Sequence, residues 1–232
     1  MTSIHFFVLN LDKNIERYIH ISKQLEELNI SFTRIKAIEG EHMEKDKDAN
    51  LILKPKMNLL YKKLINITTN EEWIYDGSIR KSFPNCSLYG NAGTKGLTLS
   101  NLKAFLEAEK MNNDWFCILE DDAEINEDSY KKILKFINNP LHKNIDIVLL
   151  DNRHYGWGGC SGMLYNKKII TKLINDLHPL SSFSMNSHLY GDPNLGNLWD
   201  WKLWKYITYI NNNFEQLPCI SSGSYPSTIN VK

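Results

Sequence analysis

The sequence holds only four cysteines in 232 residues, at 86, 117, 160 and 219, and no two of them form a C-x-x-C pair. That excludes zinc ribbons and fingers, which need paired thiolates, and leaves no dithiol redox motif. Cys117, inside an apolar run, reads as a small core residue. No stretch approaches the roughly 20 apolar residues that a bilayer span needs. The first apolar run, Ile4 to Leu9, has no basic region before it and meets Asp12 just after, unlike a secretory leader. A soluble, cytoplasmic protein is therefore expected, one in which the sequons at Asn29, Asn66 and Asn85 stay unused. Nor is there an excess of either charge. With 27 Lys+Arg against 27 Asp+Glu, a nucleic-acid partner bound through a global positive field is not expected. Hydrophobic residues at 42% and charged residues at 23% exclude disorder, a collagen-like chain and a coiled coil. There is no internal repeat, and the length suits one domain spanning 1–232.

What is there is an alternation of strands and helices. Ile4 to Leu9 is short, aromatic and β-branched, which predicts a buried strand. Ile15, Tyr18, Ile19, Leu25 and Leu28 recur at helical spacing and predict an amphipathic helix ending near Asn29. Phe32 to Ile38, closed by Glu39-Gly40, is a second strand. Strand, helix and strand within forty residues make a βαβ unit and imply a parallel sheet. Residues 41–95 read as an irregular excursion with one helix at 56–65 and a Gly/Asn/Ser-rich loop at 84–96. A helix follows from Leu99 to Met111, then an apolar strand, Trp115 to Leu119. The helix after it carries Tyr130, Ile133, Leu134 and Ile137, and Ile145 to Leu150 is another strand, ending in Asp151. A glycine-rich stretch, 156–162, precedes a short strand at 163–165 and a helix with Ile170, Leu173, Ile174 and Leu177 on one face. A Trp-rich helix starts near Trp199, and 211–232 read as a mostly irregular tail.

The sharpest chemical signal is I-L-E-D-D-A at 118–123. In an open parallel sheet, ligands bind outside the carboxyl ends of strands, where the strand order reverses. Three carboxylates placed there repel one another unless a hard cation sits among them. Magnesium or manganese there would also hold a diphosphate and neutralise its charge as it leaves. The competing reading is that the acids cap the next helix.

The chain resembles glycosyltransferase family 25, the lipooligosaccharide and collagen galactosyltransferase group. The resemblance rests on V-L-N-L-D-K-N-I-E-R at 8–17, R-I-K-A-I-E-G at 34–40, Gly96-Leu97-Thr98-Leu99-Ser100-Asn101, the intact L-E-D-D-A at 119–123, G-G-C-S-G-M-L-Y-N-K-K at 158–168 and Asp200-Trp201. It leaves 41–95 and 211–232 largely unmatched. Leu97 and Asn101 stand where the family has Cys and His, and an amide cannot exchange a proton near neutral pH.

The resemblance implies a GT-A-like α/β fold, a mixed, mainly parallel sheet with helices on both faces. It also implies inverting transfer of a hexose, galactose or glucose, from a UDP-sugar to a hydroxyl of a glycan or protein acceptor, with Mn2+ or Mg2+. Asp122 would hold the metal, and Glu120 and Asp121 would face the ribose or complete the metal shell, Glu120 first. Asn10, Leu11 and Asp12 would line uracil and ribose, with Arg17 or Arg34 near the phosphates and Ala37 and Glu39 wrapping the nucleotide. Arg17 reads equally as a solvated helix residue and Glu39 as a turn residue. Asp200 would be the general base that takes the acceptor proton, or else a helix-capping acid; Asp151 is the reserve. His188 in a loop reads as a further ligand or as polar surface. Trp157, among glycines, would be a sugar platform, whereas Trp204 with Leu203 and Ile207 reads as core. The alternatives are a catalytically silent protein of the same fold and a nucleotidyltransferase, which lacks here its Gly- and Lys-rich phosphate loop.

Overall fold

The structure, a computed structural model, describes residues 2–41, 46–53, 92–153, 159–179, 181–185 and 199–223. The helix expected at 56–65, His188 and Trp157 lie outside the described residues. Strands β1 (Ile4–Asn10), β2 (Phe32–Lys36), β3 (Trp115–Glu120), β4 (Ala123–Glu124), β5 (Ile147–Asp151), β6 (Gly162–Asn166) and β7 (Phe214–Ser222) form one seven-stranded sheet in the order β2-β1-β3-β6-β5-β7-β4. The pairs β1–β2, β1–β3 and β5–β7 are parallel; β3–β6, β5–β6 and β4–β7 are antiparallel. The expected mixed sheet is therefore present, with β6 inserted against the direction of its neighbours.

Side chains alternate across each strand, so both faces are covered. Phe7, Leu9, Phe116 and Ile118 pack against α2 (Ala92–Lys110), α4 (Ile170–Leu177) and α6 (Trp199–Lys205). Phe6, Val8, Cys117 and Leu119 pack against α1 (Ile15–Glu27) and α3 (Glu127–Ile137). A short α5 (Ser182–Met185) lies between α4 and α6 in sequence; of the residues expected in the core, Leu203 and Ile207 are buried and Trp204 is half-buried. No helix of the described residues is long and apolar enough to cross a membrane.

Four local expectations need correction. In α1 the buried stripe is Arg17, Ile21 and Leu25, while Ile15 and Ile19 are 49% and 59% exposed. The helix is rotated because Arg17 is turned inward onto an ion-pair partner. Second, α2 begins at Ala92, inside the stretch read as a loop. Its glycines look like breakers but allow a close approach: a Cβ on Gly96 would lie 2.3 Å from the Ile38 carbonyl oxygen. Third, residues 214–222 are not irregular but form β7. Pro218, which argues against a regular strand, falls where the register jumps from Leu149↔Gln216 to Asp151↔Ile220, so its missing N–H leaves no ladder gap. Fourth, the expected helix is there as α3, but β4 separates it from Glu120–Asp122, and the competing reading of the acids as its cap fails because the Asn126 side chain accepts the Ser129 N–H.

Candidate active site

The chain leaves β1 for β2 on one side and returns to β3 on the other, so the sheet order reverses at β1. Leu9 stands opposite Glu120 in the β1–β3 register. The carboxyl ends of these strands, with the 37–41 turn and the amino end of α2, enclose a cleft. Leu11, Arg17, Ala37, Glu39, Glu120, Asp121 and Asp122 all line it. Gly96 and Ser100 complete the wall: Ser100 Oγ donates to the Gly96 carbonyl (2.6 Å) and accepts the Ile38 N–H (2.9 Å), tying α2 to the turn. Asn101 does not line it, because its Nδ2 donates back to the Leu97 carbonyl at 3.0 Å.

Three adjacent acids have three different surroundings. Asp121 is buried and fully occupied: Oδ1 accepts from Arg17 Nη1 (3.2 Å) and Oδ2 from Asn10 Nδ2 (2.7 Å). Asn10 also donates to the Asn14 carbonyl (3.0 Å) and accepts from Arg34 Nε and Nη2 (3.0 and 2.7 Å). Asp121 therefore locks β1, α1 and β3 together. By contrast, Asp122 Oδ1 is buried with no hydrogen-bond partner among the described residues. Burial, then the neighbouring Asp121 charge, pushes the Asp122 carboxyl above its ordinary range against the pull of Arg17 and Arg153. The Glu120 carboxyl is pushed well up, first by burial and then by the charges of Asp200 and Asp122. Since Asn126 caps α3, none of the three acids serves as its cap.

Asp12 lies on an adjoining cleft with Lys36 and Asp46. It accepts from Arg34 Nη2 (2.8 Å) and pairs with Lys36 Nζ (2.6 Å), and the Lys36 hydrogen bond holds its carboxyl below the usual range. Glu39 pairs with Lys13 across the cleft mouth.

Beyond Glu120, on the β5–β6 side, is a second group that holds both candidate bases, Asp151 and Asp200, around Arg153, which the sequence did not single out. Arg153 donates to both oxygens of Asp151, from Nε (3.0 and 3.2 Å) and Nη2 (2.6 Å), and Nη2 also reaches Ser161 Oγ at 2.8 Å. Asp151 further accepts the Arg153 and Ser161 N–H groups. Burial alone would raise its carboxyl, but these bonds and the Arg153 charge outweigh that and hold it low. Both oxygens are thus committed, which suits an anchor better than a proton acceptor. Asp200, in the first turn of α6, accepts the Gly159 N–H at 2.9 Å and bears electrostatically on both Glu120 and Arg153. Its carboxylate is thus turned to this group. The available signal for Arg153 was its place two residues past a strand-ending acid.

Among the described residues no three acids, histidines or cysteines converge as a complete metal cage. Magnesium-type ions commonly use one or two carboxylates and take their remaining ligands from substrate phosphates and water. The unpartnered Asp122 oxygen beside the poorly solvated Glu120 fits that arrangement.

Comparison with known proteins gives a family. The model described as glycosyltransferase family 25 (LPS biosynthesis protein) matches residues 3–175. No curated protein matches the chain. Among solved structures it is similar to a glycosyltransferase involved in the glycosylation of the major capsid of PBCV-1, at 11% identity and a TM-score of 0.39, over 97% of this chain and 95% of that one. It is also similar to the glycosyltransferase GlyE in Streptococcus pneumoniae TIGR4, at 9% identity and a TM-score of 0.46, over 98% of this chain and 55% of that one.

Proposed function

The chain belongs to glycosyltransferase family 25, and from that membership we propose that it transfers a hexose, galactose or glucose, from a UDP-sugar to a hydroxyl of a glycan or protein, with inversion and with a divalent metal. The observation that carries this reading is the cleft at the switch point of the sheet, lined by Glu120, Asp122 and the 37–40 turn, with a buried Asp122 oxygen that has no partner among the described residues. Asp122 and Glu120 would hold manganese or magnesium. A bound ion of this kind neutralises the charge that develops on the departing diphosphate.

The protein's own groups do the rest by position. Asp121 keeps Arg17 at the cleft wall, with the guanidinium directed at the end of β3. Leu11, Ala37 and Glu39 border the space for the nucleoside. Asp200, oriented by the Gly159 N–H, takes the proton of the acceptor hydroxyl as that oxygen bonds to the anomeric carbon and UDP leaves. A thermal-shift screen of UDP-, GDP- and CMP-sugars, each with manganese or a chelator, tests the reading. A metal-dependent rise with a UDP-hexose, followed by slow UDP release, is expected. A flat screen would contradict it, and a rise without any turnover would point to a silent binding protein.

A further inference from the structure

We propose that Arg153 is a sugar-binding residue: anchored along one edge by Asp151, its guanidinium offers the Nη1 hydrogens to a ring hydroxyl of the transferred sugar. This rests on the donor reading above. Nε and Nη2 are spent on Asp151 and Ser161, while Nη1 makes no hydrogen bond to the described residues. The anchor is buried and its partner half-exposed: the Asp151 side chain is 3% exposed, that of Arg153 47%. Gly159 allows the closeness. It sits at φ +118°, and a Cβ there would lie 2.4 Å from Arg153 Nε and 2.8 Å from Asp151 Oδ2. A planar fork held on one edge is pre-organised, so a new hydrogen bond on the other edge costs little further ordering.

Position and charge name the ligand. The nucleotide cleft ends at Glu120, and Arg153 lies past it, close enough to feel both Glu120 and Asp200. A group hanging from a diphosphate at 120–122 continues in that direction. Asp151 already neutralises Arg153, and the Asp200 carboxylate lies nearby, so Arg153 has no charge to spare for an anionic ring. An anionic ring is therefore disfavoured. A neutral polyhydroxylated ring can accept from Nη1 without bringing a further charge into the site.

The test is calorimetry with manganese, using UDP, UDP-galactose, UDP-glucose and UDP-glucuronic acid on the parent, Arg153→Gln and Arg153→Lys. Arg153→Gln should bind UDP within about twofold of the parent and lose about tenfold or more on the UDP-hexose that the parent binds. Hydrolysis of that donor should fall in step. Arg153→Lys keeps the charge without the fork and should show the same selective loss, and it stands in if the glutamine variant does not fold. Unchanged UDP-hexose binding, or equal losses on UDP and UDP-hexose, would overturn the proposal and leave the donor reading standing. Tighter binding of UDP-glucuronic acid than of either hexose donor would overturn the neutral-ring assignment. A parent that binds no UDP would overturn the donor reading itself, and this proposal with it.

Discussion

Replacing Asp121 by Asn keeps the side chain's shape, and the structure says it should still be costly. Asp121 presents two acceptors to two donors, Arg17 Nη1 and Asn10 Nδ2. An amide has one acceptor, so in either orientation its NH2 meets a donor. Asn10 cannot turn over to help, because its Oδ1 already accepts from two Arg34 nitrogens. The Arg17 and Asp121 side chains are only 10% and 11% exposed, so water screens the conflict poorly. Breaking one side of a buried, hydrogen-bonded ion pair costs about 3–5 kcal/mol. The Asn oxygen retains one bond, which puts the loss near 3 kcal/mol, or a fall in Tm of roughly 6–12 °C for a domain of this size. Asp122→Asn, one residue on, removes charge from a side chain whose buried oxygen has no partner among the described residues, so its Tm without ligand should stay level or rise. Differential scanning fluorimetry in chelator compares the two. If Asp121→Asn melts within about 2 °C of the parent, or if Asp122→Asn melts lower than Asp121→Asn, the division of roles between these neighbours is wrong.

Gly96→Ala should lower stability by about 1–2 kcal/mol, since overpacking against the Ile38 and Gly40 backbone outweighs a helix-propensity gain of about 1 kcal/mol. It should also weaken UDP binding, because the displaced 38–40 turn is cleft wall; a melting curve and a titration read both. The pH dependence follows from Glu120, whose carboxyl is raised when folded, so the folded state binds more protons than the unfolded one. Ligand-free stability should therefore rise as pH falls from 7.5 toward the ordinary carboxylate range, and Glu120→Gln should flatten that rise. Asp151 acts oppositely, adding stability above the unfolded value of 3.8 that is lost as pH falls through its lowered folded value. Asp200→Asn should leave UDP-hexose affinity near the parent's and cut transfer roughly 100-fold, whereas a ligand-binding role would lose affinity too.

The central strands and the cleft were legible because β1 and β3 are apolar runs that each give way to polar residues, N-L-D after one and E-D-D after the other, and a parallel sheet puts such ends on one edge. What was not legible depended on partners distant in sequence. Nothing local distinguishes Asp121 from Asp122; only Arg17 and Asn10, some 104 and 111 positions away, do so. The same pairing turns Arg17 inward and so rotates α1 away from the face its isoleucines suggested. The glycines at the start of α2 looked like a loop because their reason is the Ile38 backbone, and β7 was hidden by a proline lodged in a bulge. The competing reading of the acids as a helix cap was closed only by seeing Asn126 in that place. Arg153 was missed since Asp151, two residues before it, explains it as a local ion pair, and only the contacts with Ser161 and Asp200 place it in the site.

Calorimetric titration of UDP into the parent and Asp122→Asn, each with manganese and with chelator, tests the metal site most directly. The parent should bind UDP tightly only when manganese is present. Asp122→Asn, folded as well as the parent, should lose at least tenfold of that affinity and most of the manganese dependence. Equal, manganese-dependent binding by both proteins, or binding by the parent that ignores manganese, would contradict the placement of the metal and the diphosphate at the end of β3.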